Sequence, residues 1–397
     1  MSTTEAARKE AQVPDPVPVS SDYLVGCHYF PGWGIPQNWQ CLEMYPERTP
    51  LLSYYDERNP EVADWEIKWA LEHGIQFWVY CWYRKQENVG KPVDYDGLFY
   101  AHEIHEGLFR CRHGEQMKFA IMWETSNAGA VSDPADLENH LFPFWVENYF
   151  RRPNYLTVDG KPVLFLYWYD SLMARFGGPS GLRDTLNRMR DLAVRAGFPG
   201  ILLPGEYRAG NPDDLRRMAE ATLDWHFIYC MPSYQQRPTA EQVIAAQDHK
   251  LRFFRDADLL PLIPCASAAW DPMPWNSPQP DTPYHADRLQ RWKLMPQDWR
   301  TVLGNVKTFM DEMPEDQPGR RMLILDNWNE WGEGHYISPH VEGGFGYLKA
   351  VRDVFTRCDN EPDYRTPEEL GMGPYDGPYR KWVEEERRRA KPAGERS

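Results

Sequence analysis

The sequence predicts an α/β protein built as a single (β/α)8 TIM barrel with elaborated βα loops. Three observations predict it. The chain has 397 residues, a length that a barrel with loop insertions reaches. Eight strand-like apolar runs alternate with helical patterns, the order expected of a parallel sheet with crossover helices. The turn after the first run, Tyr29-Phe30-Pro31-Gly32-Trp33, is aromatic. The Gly-rich phosphate turn of a doubly wound nucleotide fold is missing there.

The elements follow in order. Tyr23 to Phe30 is the first strand, stopped by Pro31-Gly32. A helix starts at Asn59-Pro60, with Asn as cap and Pro in the first turn, and stops at Gly74. Ile75 to Trp82 and Lys118 to Glu124 are the second and third strands, and a helix carrying Trp145 and Tyr149 follows. Pro162 to Tyr169 is the fourth strand and Leu182 to Ala196 its helix. Gly200 to Glu206 is the fifth strand, with a short helix after Asn211-Pro212. Asp224 to Tyr229 is the sixth, and the helix from Thr239 to Asp256 opens on a Thr239/Gln242 capping box. Leu260 to Ala266, a helix from Pro296 to Met310, Met322 to Trp328, and a helix from Gly346 to Phe355 complete the eight units. Residues 1–21 read as a flexible N-terminal arm, 22–360 as the barrel, and 361–397 as a C-terminal extension with a charged tail.

Composition narrows the function. Lys and Arg total 44 against 59 Asp and Glu, a balance of −15. Such a chain is a poor partner for nucleic acid or an anionic membrane surface. No apolar run reaches the ~20 residues of a membrane helix, so no membrane insertion is expected. Residues 1–21 hold no apolar signal core, so the chain as given reads as cytoplasmic; a protein whose signal had been removed would look the same. The seven cysteines form no C-x-x-C pair, and no zinc spacing is present. Neither metal nor cofactor is expected. The chain carries 17 Trp and 22 Tyr. Aromatic planes bind the C–H faces of sugar rings, and they also fill large cores.

In a barrel, chemistry gathers at the C-terminal ends of the strands. Those ends offer His28, Tyr29 and Trp33, then Trp82, then Trp123-Glu124, then Tyr167 and Trp168. Glu206, Tyr229 and Trp270-Asp271 follow, and the eighth strand runs into Trp328-Asn329-Glu330-Trp331-Gly332-Glu333-Gly334-His335-Tyr336. Aromatic and acidic groups thus converge on one face, as an oligo- or polysaccharide site requires. Glycosidic cleavage generally uses two carboxyl groups. Glu330 and Glu333 are three apart, and a helical turn would set their Cβ atoms roughly 5–6 Å apart. Two solvated loop glutamates would need no flanking tryptophans. Glu124 and Glu206 read equally as substrate-contacting acids or as halves of structural ion pairs. Asp271 reads as a ligand for a sugar hydroxyl or as the cap of an Asp-Pro turn. His28 reads as a hydroxyl ligand or a barrel-interior histidine. Asp256-Ala257-Asp258 resembles a metal-binding D-x-D, but it ends a helix away from the mouth and is set aside.

The run from Trp328 to Pro339 resembles the N-E-W-x-E-G signature of glycoside hydrolase family 99, and more closely the family 99-like proteins labelled WbsX. Tyr29-Phe30-Pro31, Asp159-Gly160-Lys161-Pro162, Trp270-Asp271 and Gly346-Tyr347-Leu348 are supporting matches spread along the barrel. The resemblance implies a retaining, endo-acting α-glycosidase without a metal. It implies Glu330 as base on the substrate's own 2-hydroxyl and Glu333 as general acid and then base. Asn329, Trp331, His335 and Tyr336, in the same segment, are expected to contact the sugar. The family continues the motif with Thr-Gln-Ile-Glu, where this chain has His335-Tyr336-Ile337-Ser338. The mannose-type substrate therefore does not carry across. The WbsX label itself suggests a glycosyltransferase of polysaccharide assembly, which ranks second to the hydrolase because the sequence shows no nucleotide-phosphate site; a barrel that only binds glycan is the third reading.

Overall fold

The computed structural model describes residues 12–125, 133–207, 211–231, 236–276 and 290–390. Eight parallel strands form its centre. They are β1 (Leu24–Tyr29), β2 (Phe77–Arg84), β3 (Lys118–Glu124) and β4 (Leu164–Tyr167), followed by β5 (Gly205–Glu206), β6 (His226–Phe227), β7 (Cys265–Ser267) and β8 (Met322–Asp326). Their spatial order is β7-β8-β1-β2-β3-β4-β5-β6. A parallel bridge between His226 and Leu262 joins β6 to the chain entering β7, and the ring closes there. The predicted barrel is the observed fold.

Strands β1, β2, β3 and β8 are buried almost throughout, which is why they read as continuous apolar runs. Gly26 on β1 faces the Phe77 ring of β2 so closely that a Cβ would stand 2.1 Å from Cζ. The other half of the ring departs from expectation. The fifth and seventh strands are two and three residues long. Pro204, Pro261 and Pro264 interrupt the predicted runs, and proline has no N–H for a ladder. In the fourth strand, Trp168 turns to φ +56° and ends the extended run before Tyr169.

The helices lie outside the ring. Asn59 caps the first one, Pro60–Glu72, by accepting from the Glu61 amide. Trp65 and Trp69 pack inward from it, both fully buried. The capping box of Thr239 and Gln242 forms as read, opening Ala240–Ala257. Where one helix was expected around Trp145 and Tyr149, four consecutive helical turns run from Pro134 to Phe150.

One boundary expectation needs correction. Residues 1–11 lie outside the described ones, but residues 12–21 are not a free arm. Val13, Pro16 and Val19 are buried anchors. The Val13 carbonyl accepts from Arg112 at 2.8 Å, and the Val19 amide donates to Leu71 O at 3.2 Å. The segment past 360 is also tied to the barrel. Asp363 lies 3.5 Å from Lys68, and Tyr375 donates to Glu61 at 2.5 Å. The charged tail is a helix, Gly377–Ala390, and its Tyr379 packs edge-on against Tyr54.

The Arg84 guanidinium, at the end of β2, pairs with Asp136 at 2.5 Å, and both side chains are essentially fully buried. Changing Asp136→Ala removes the carboxylate from a buried cation. We expect a loss of about 3–5 kcal/mol in unfolding free energy, measured from denaturant midpoints. A loss below about 1 kcal/mol, the range of exposed pairs, would show that the pair does not hold the strand end.

Candidate active site

The eighth strand leaves the barrel at Asp326 and continues into a short hairpin. Asn329–Glu330 pairs antiparallel with His335–Tyr336, and Trp331–Glu333 forms a tight 3-10 turn between them. The expected helical turn is thus the tip of a hairpin. Gly334 closes it at φ +62°, and a Cβ there would stand 2.8 Å from Arg48 Nη1 and 2.9 Å from Asp271 Cβ. Only glycine suits both the dihedral and the space.

Tryptophans hold this hairpin in place. The Trp328 amide donates to His28 O at 2.7 Å and its indole donates to Glu66 at 3.0 Å. Trp33 Nε1 donates to Asn329 O at 2.7 Å, and the Phe30 amide donates to Asn329 Oδ1 at 2.9 Å. Trp331 Nε1 reaches the Tyr55 hydroxyl at 3.3 Å. On the far side the Asp271 amide donates to Glu333 O at 2.6 Å.

The two carboxyls sit in different surroundings. Glu330 is buried, and its Oε1 accepts from the Trp275 indole at 3.2 Å. Burial, followed by the charge of Glu333, pushes the Glu330 carboxyl well above the usual range. Glu333 keeps 28% of its side chain exposed and stands 3.8 Å from His335 Nδ1. Behind them lies a buried polar chain. Ser267 donates to Asp326 Oδ2 at 2.5 Å, and His335 Nε2 meets the same oxygen at 2.6 Å. Burial works against a charged His335 ring, but the Asp326 carboxylate overrides it and holds the imidazole well above its ordinary pKa. Two donors converge on one Asp326 oxygen, so we place the proton on His335.

Cys230, Asp326 and His335 each bring one donor atom within 4.8 Å of the others, a set that could hold a metal ion. The direct 2.6 Å contact between Asp326 and His335 is that of a hydrogen-bonded ion pair. Two ligands of one metal at about 2.0 Å each would be spread wider.

Strand alternation sorts the other sequence candidates. His28, Tyr167 and Tyr229 point into the barrel; Tyr229 stacks near His28, Tyr167 and His335 at 4.9, 5.4 and 5.8 Å. Glu124 and Glu206 are buried, and Glu206 accepts from the Trp168 amide at 3.1 Å. Trp168 is 40% exposed at the rim, and Trp270 lies edge-on to His335. Five candidates do not reach the mouth. Tyr29, Trp33, Trp82, Trp123 and Trp331 are at most 1% exposed. Tyr29 donates to Glu66, Trp82 donates to Tyr149, and Trp123 packs on Trp145. Their rings fill the layer outside the barrel or beneath the hairpin. Asn329 is likewise taken up in holding the hairpin. Tyr336 packs on Trp331, and Asp271 binds Arg48 and Arg291 at 2.5 and 2.7 Å.

The structure adds residues that sequence reading passed over. Asp326 and Ser267 carry the polar chain, and Trp275 touches Glu330. Burial foremost, with the carboxylates of Glu124 and Glu330 nearby, raises the Tyr83 hydroxyl well above its usual range. The signal for Asp326 was present: it is the one charged residue in the apolar run Met322 to Asp326.

The Asp326 pairing has a direct test. Replacing Asp326→Asn removes the carboxylate in direct contact with the ring, the first of the groups that favour its charged form. We expect the His335 imidazole, followed by nitrogen NMR, to fall below the ordinary histidine value. His226, buried without a carboxylate partner, is already pushed down to about 3. A His335 titration unmoved by the substitution would contradict the ion-pair assignment.

Residues 43–351 match the family described as Glycosyltransferase WbsX. The uncharacterized protein WxcX of Xanthomonas campestris pv. campestris is 25% identical over 339 residues, which cover 81% of this chain and 44% of WxcX. WxcX of a second strain is 25% identical over 342 residues with the same coverage. The chain therefore spans less than half the length of these curated relatives. In fold it is similar to a glycoside hydrolase family 99 endo-alpha-mannosidase from Bacteroides thetaiotaomicron. The TM-score is 0.56 and the identity 16%, covering 93% of this chain and 98% of that one. A second structure of that enzyme gives a TM-score of 0.53, at 16% identity over 92% of this chain and 98% of that one. The family match takes in most of the barrel and the whole Trp328–Tyr336 segment, so the chain belongs to the Glycosyltransferase WbsX family.

Proposed function

We propose that this chain is a retaining glycoside hydrolase that cleaves an α-linkage in an oligo- or polysaccharide. One observation carries the reading. Two glutamates sit on one rigid hairpin at the mouth of the barrel, one buried and one partly exposed. The α-linkage and a cut within the chain are taken from the endo-alpha-mannosidases that share the fold.

Glu330 is the base and Glu333 the acid. Drawing a proton from a sugar hydroxyl needs a strong base. Burial supplies one, because a desolvated carboxylate binds a proton more tightly than an exposed one. Glu330 takes the 2-hydroxyl proton while O2 attacks C1, and the C1–O bond to the leaving group breaks. Glu333 gives its proton to that leaving oxygen. Water, losing a proton to Glu333, then opens the 1,2-anhydro ring at C1, and O2 regains its proton from Glu330. Two inversions at C1 give net retention. Trp275 steadies the ionised Glu330 through its indole N–H.

The family's own description favours a second reading, a glycosyltransferase. Dependence on a sugar nucleotide, with no glycan cleaved in its absence, would establish it.

Two substitutions test the first reading. Glu333→Gln and Glu330→Gln should each lower turnover by roughly a thousandfold while glycan binding persists. Full activity in either variant sinks the assignment. Trp275→Phe tests the base. The indole stabilises the ionised carboxylate, so its loss lifts Glu330 further. Activity rises as Glu330 ionises, so the acidic limb of the pH–rate profile should move to higher pH by roughly half to one unit. A limb that stays put, or moves to lower pH, contradicts Glu330 as base.

A further inference from the structure

Of the 17 tryptophans, two are exposed. They are Trp168, at 40%, and Trp275, at 38%. Both lie beyond the C-terminal ends of strands, Trp168 after β4 and Trp275 on the short helix Met273–Asn276 after β7. Trp275 stands on the near side of the mouth, with its indole 3.2 Å from Glu330. Trp168 stands on the far side. In the ring order, β4 is four strands from β8 in either direction. Eight strands roughly 4.8 Å apart and tilted by about 36° close into a ring roughly 15 Å across. One sugar ring does not bridge that width. A sugar resting on Trp168 is therefore at least one unit removed from a bond cleaved beside Glu330.

The backbone of Trp168 is held in a costly shape. It takes φ +56° and ψ +58°, the left-handed region that bulky L-residues avoid. Glycine or asparagine would take it at less cost if the position needed only a turn. Both neighbouring strands fix it there. Its amide donates to Glu206 Oε2, at the end of β5, at 3.1 Å. Its carbonyl accepts from Thr125 Oγ1, just past β3, at 3.0 Å, and from the Ser171 amide at 3.0 Å. Ser171 Oγ in turn donates to Thr125 O at 2.6 Å. Glu206 and Thr125 are buried. Buried polar groups that fix an exposed aromatic residue in a strained conformation mark a side chain kept for use. An indole plane presented to solvent beside a glycan site offers the surface that meets the C–H face of a sugar.

We propose that Trp168 is the platform of a distal subsite, which takes the apolar face of a sugar at least one unit from the cleaved bond, and that Glu206 is the positioning residue that holds it. The enzyme thereby selects for glycan length. This rests on the glycosidase reading of Glu330 and Glu333 for the place of the cut. It adds what that reading left open, how much of the glycan is recognised.

The test uses the full chain carrying Glu333→Gln, so that bound glycans stay whole, and α-linked glucan and mannan fragments of one to six sugars. Affinity is measured by calorimetry, and the indole NMR signal of Trp168 reports contact. We expect the hexamer of at least one series to bind roughly tenfold more tightly than its dimer. The hexamer should shift the Trp168 signal, and the monomer should leave it in place. Trp168→Leu, which keeps an apolar side chain but no ring face, should bring the hexamer down to the affinity of the dimer and leave the dimer unchanged. A merely structural role would move both together. Glu206→Ala should act as Trp168→Leu does, and Glu206→Gln, which keeps an acceptor for the Trp168 amide, should retain the preference. Affinity independent of length overturns the proposal, as does a Trp168 signal that no fragment moves. So does a Trp168→Leu chain that still prefers the hexamer, or one that loses dimer and hexamer alike. The two readings fail separately. Length-dependent binding at Trp168, with no glycan cleaved by the unsubstituted chain, keeps the platform and removes the hydrolase. Cleavage with no effect of length on affinity does the reverse.

Discussion

Desolvation of Glu330 is the constraint around which the mouth of this barrel is arranged. A carboxyl nine-tenths or more buried, beside a second carboxyl, is costly unless its surroundings are fixed. The fixing comes from below and from the side. Trp328 ties the hairpin to β1 and to Glu66, Trp33 and Phe30 hold Asn329, and Trp331 rests on Tyr55. These rings are almost wholly buried, and Trp33 stacks on Trp275 at 5.7 Å. They make the backbone of the hairpin rigid, so that Glu330 cannot swing outward to regain water. Trp275, on the short helix Met273–Asn276, then donates its indole N–H to Glu330.

The second polar layer follows from the first. The Asp326–His335 ion pair lies under the hairpin and carries a positive ring within 3.8 Å of Glu333. Ser267, at the C-terminal end of β7, donates to the same Asp326 oxygen. At the rim, Asp271 joins the Glu333 backbone to two arginines. The hairpin is thus set between a buried ion pair below and a rim of paired charges beside it, where Asp271 holds Arg48 and Arg291.

Much of the fold was legible in the sequence because the buried strands are long enough to show. Tyr23 to Phe30, Lys118 to Glu124 and Met322 to Trp328 are continuous apolar runs, and the caps at Asn59 and Thr239 formed as read. The short strands were legible as runs but not in length, because prolines at 204, 261 and 264 break their ladders. The site was only half legible. Glu330 and Glu333 stood out by their neighbours, but tryptophans at strand ends were read as mouth residues when alternate positions face outward. Trp82 and Trp123 fall on the helix side, and Cys81 and Glu124, next to each, fall on the mouth side. Asp326 was hidden inside an apolar strand, and Trp275 lies in a proline-rich loop without a pattern. The partners of Asp271 are 223 and 20 residues away, a pairing that no local spacing reveals.

The central claim is that Glu330 and Glu333 act in sequence on one sugar with net retention. The most direct measurement is proton NMR of the first product formed from a polysaccharide panel, before the anomers equilibrate. The account predicts that the new reducing end appears first as the α-anomer, matching the linkage cleaved. A first product with the β configuration would mean a single displacement by water, and would contradict it.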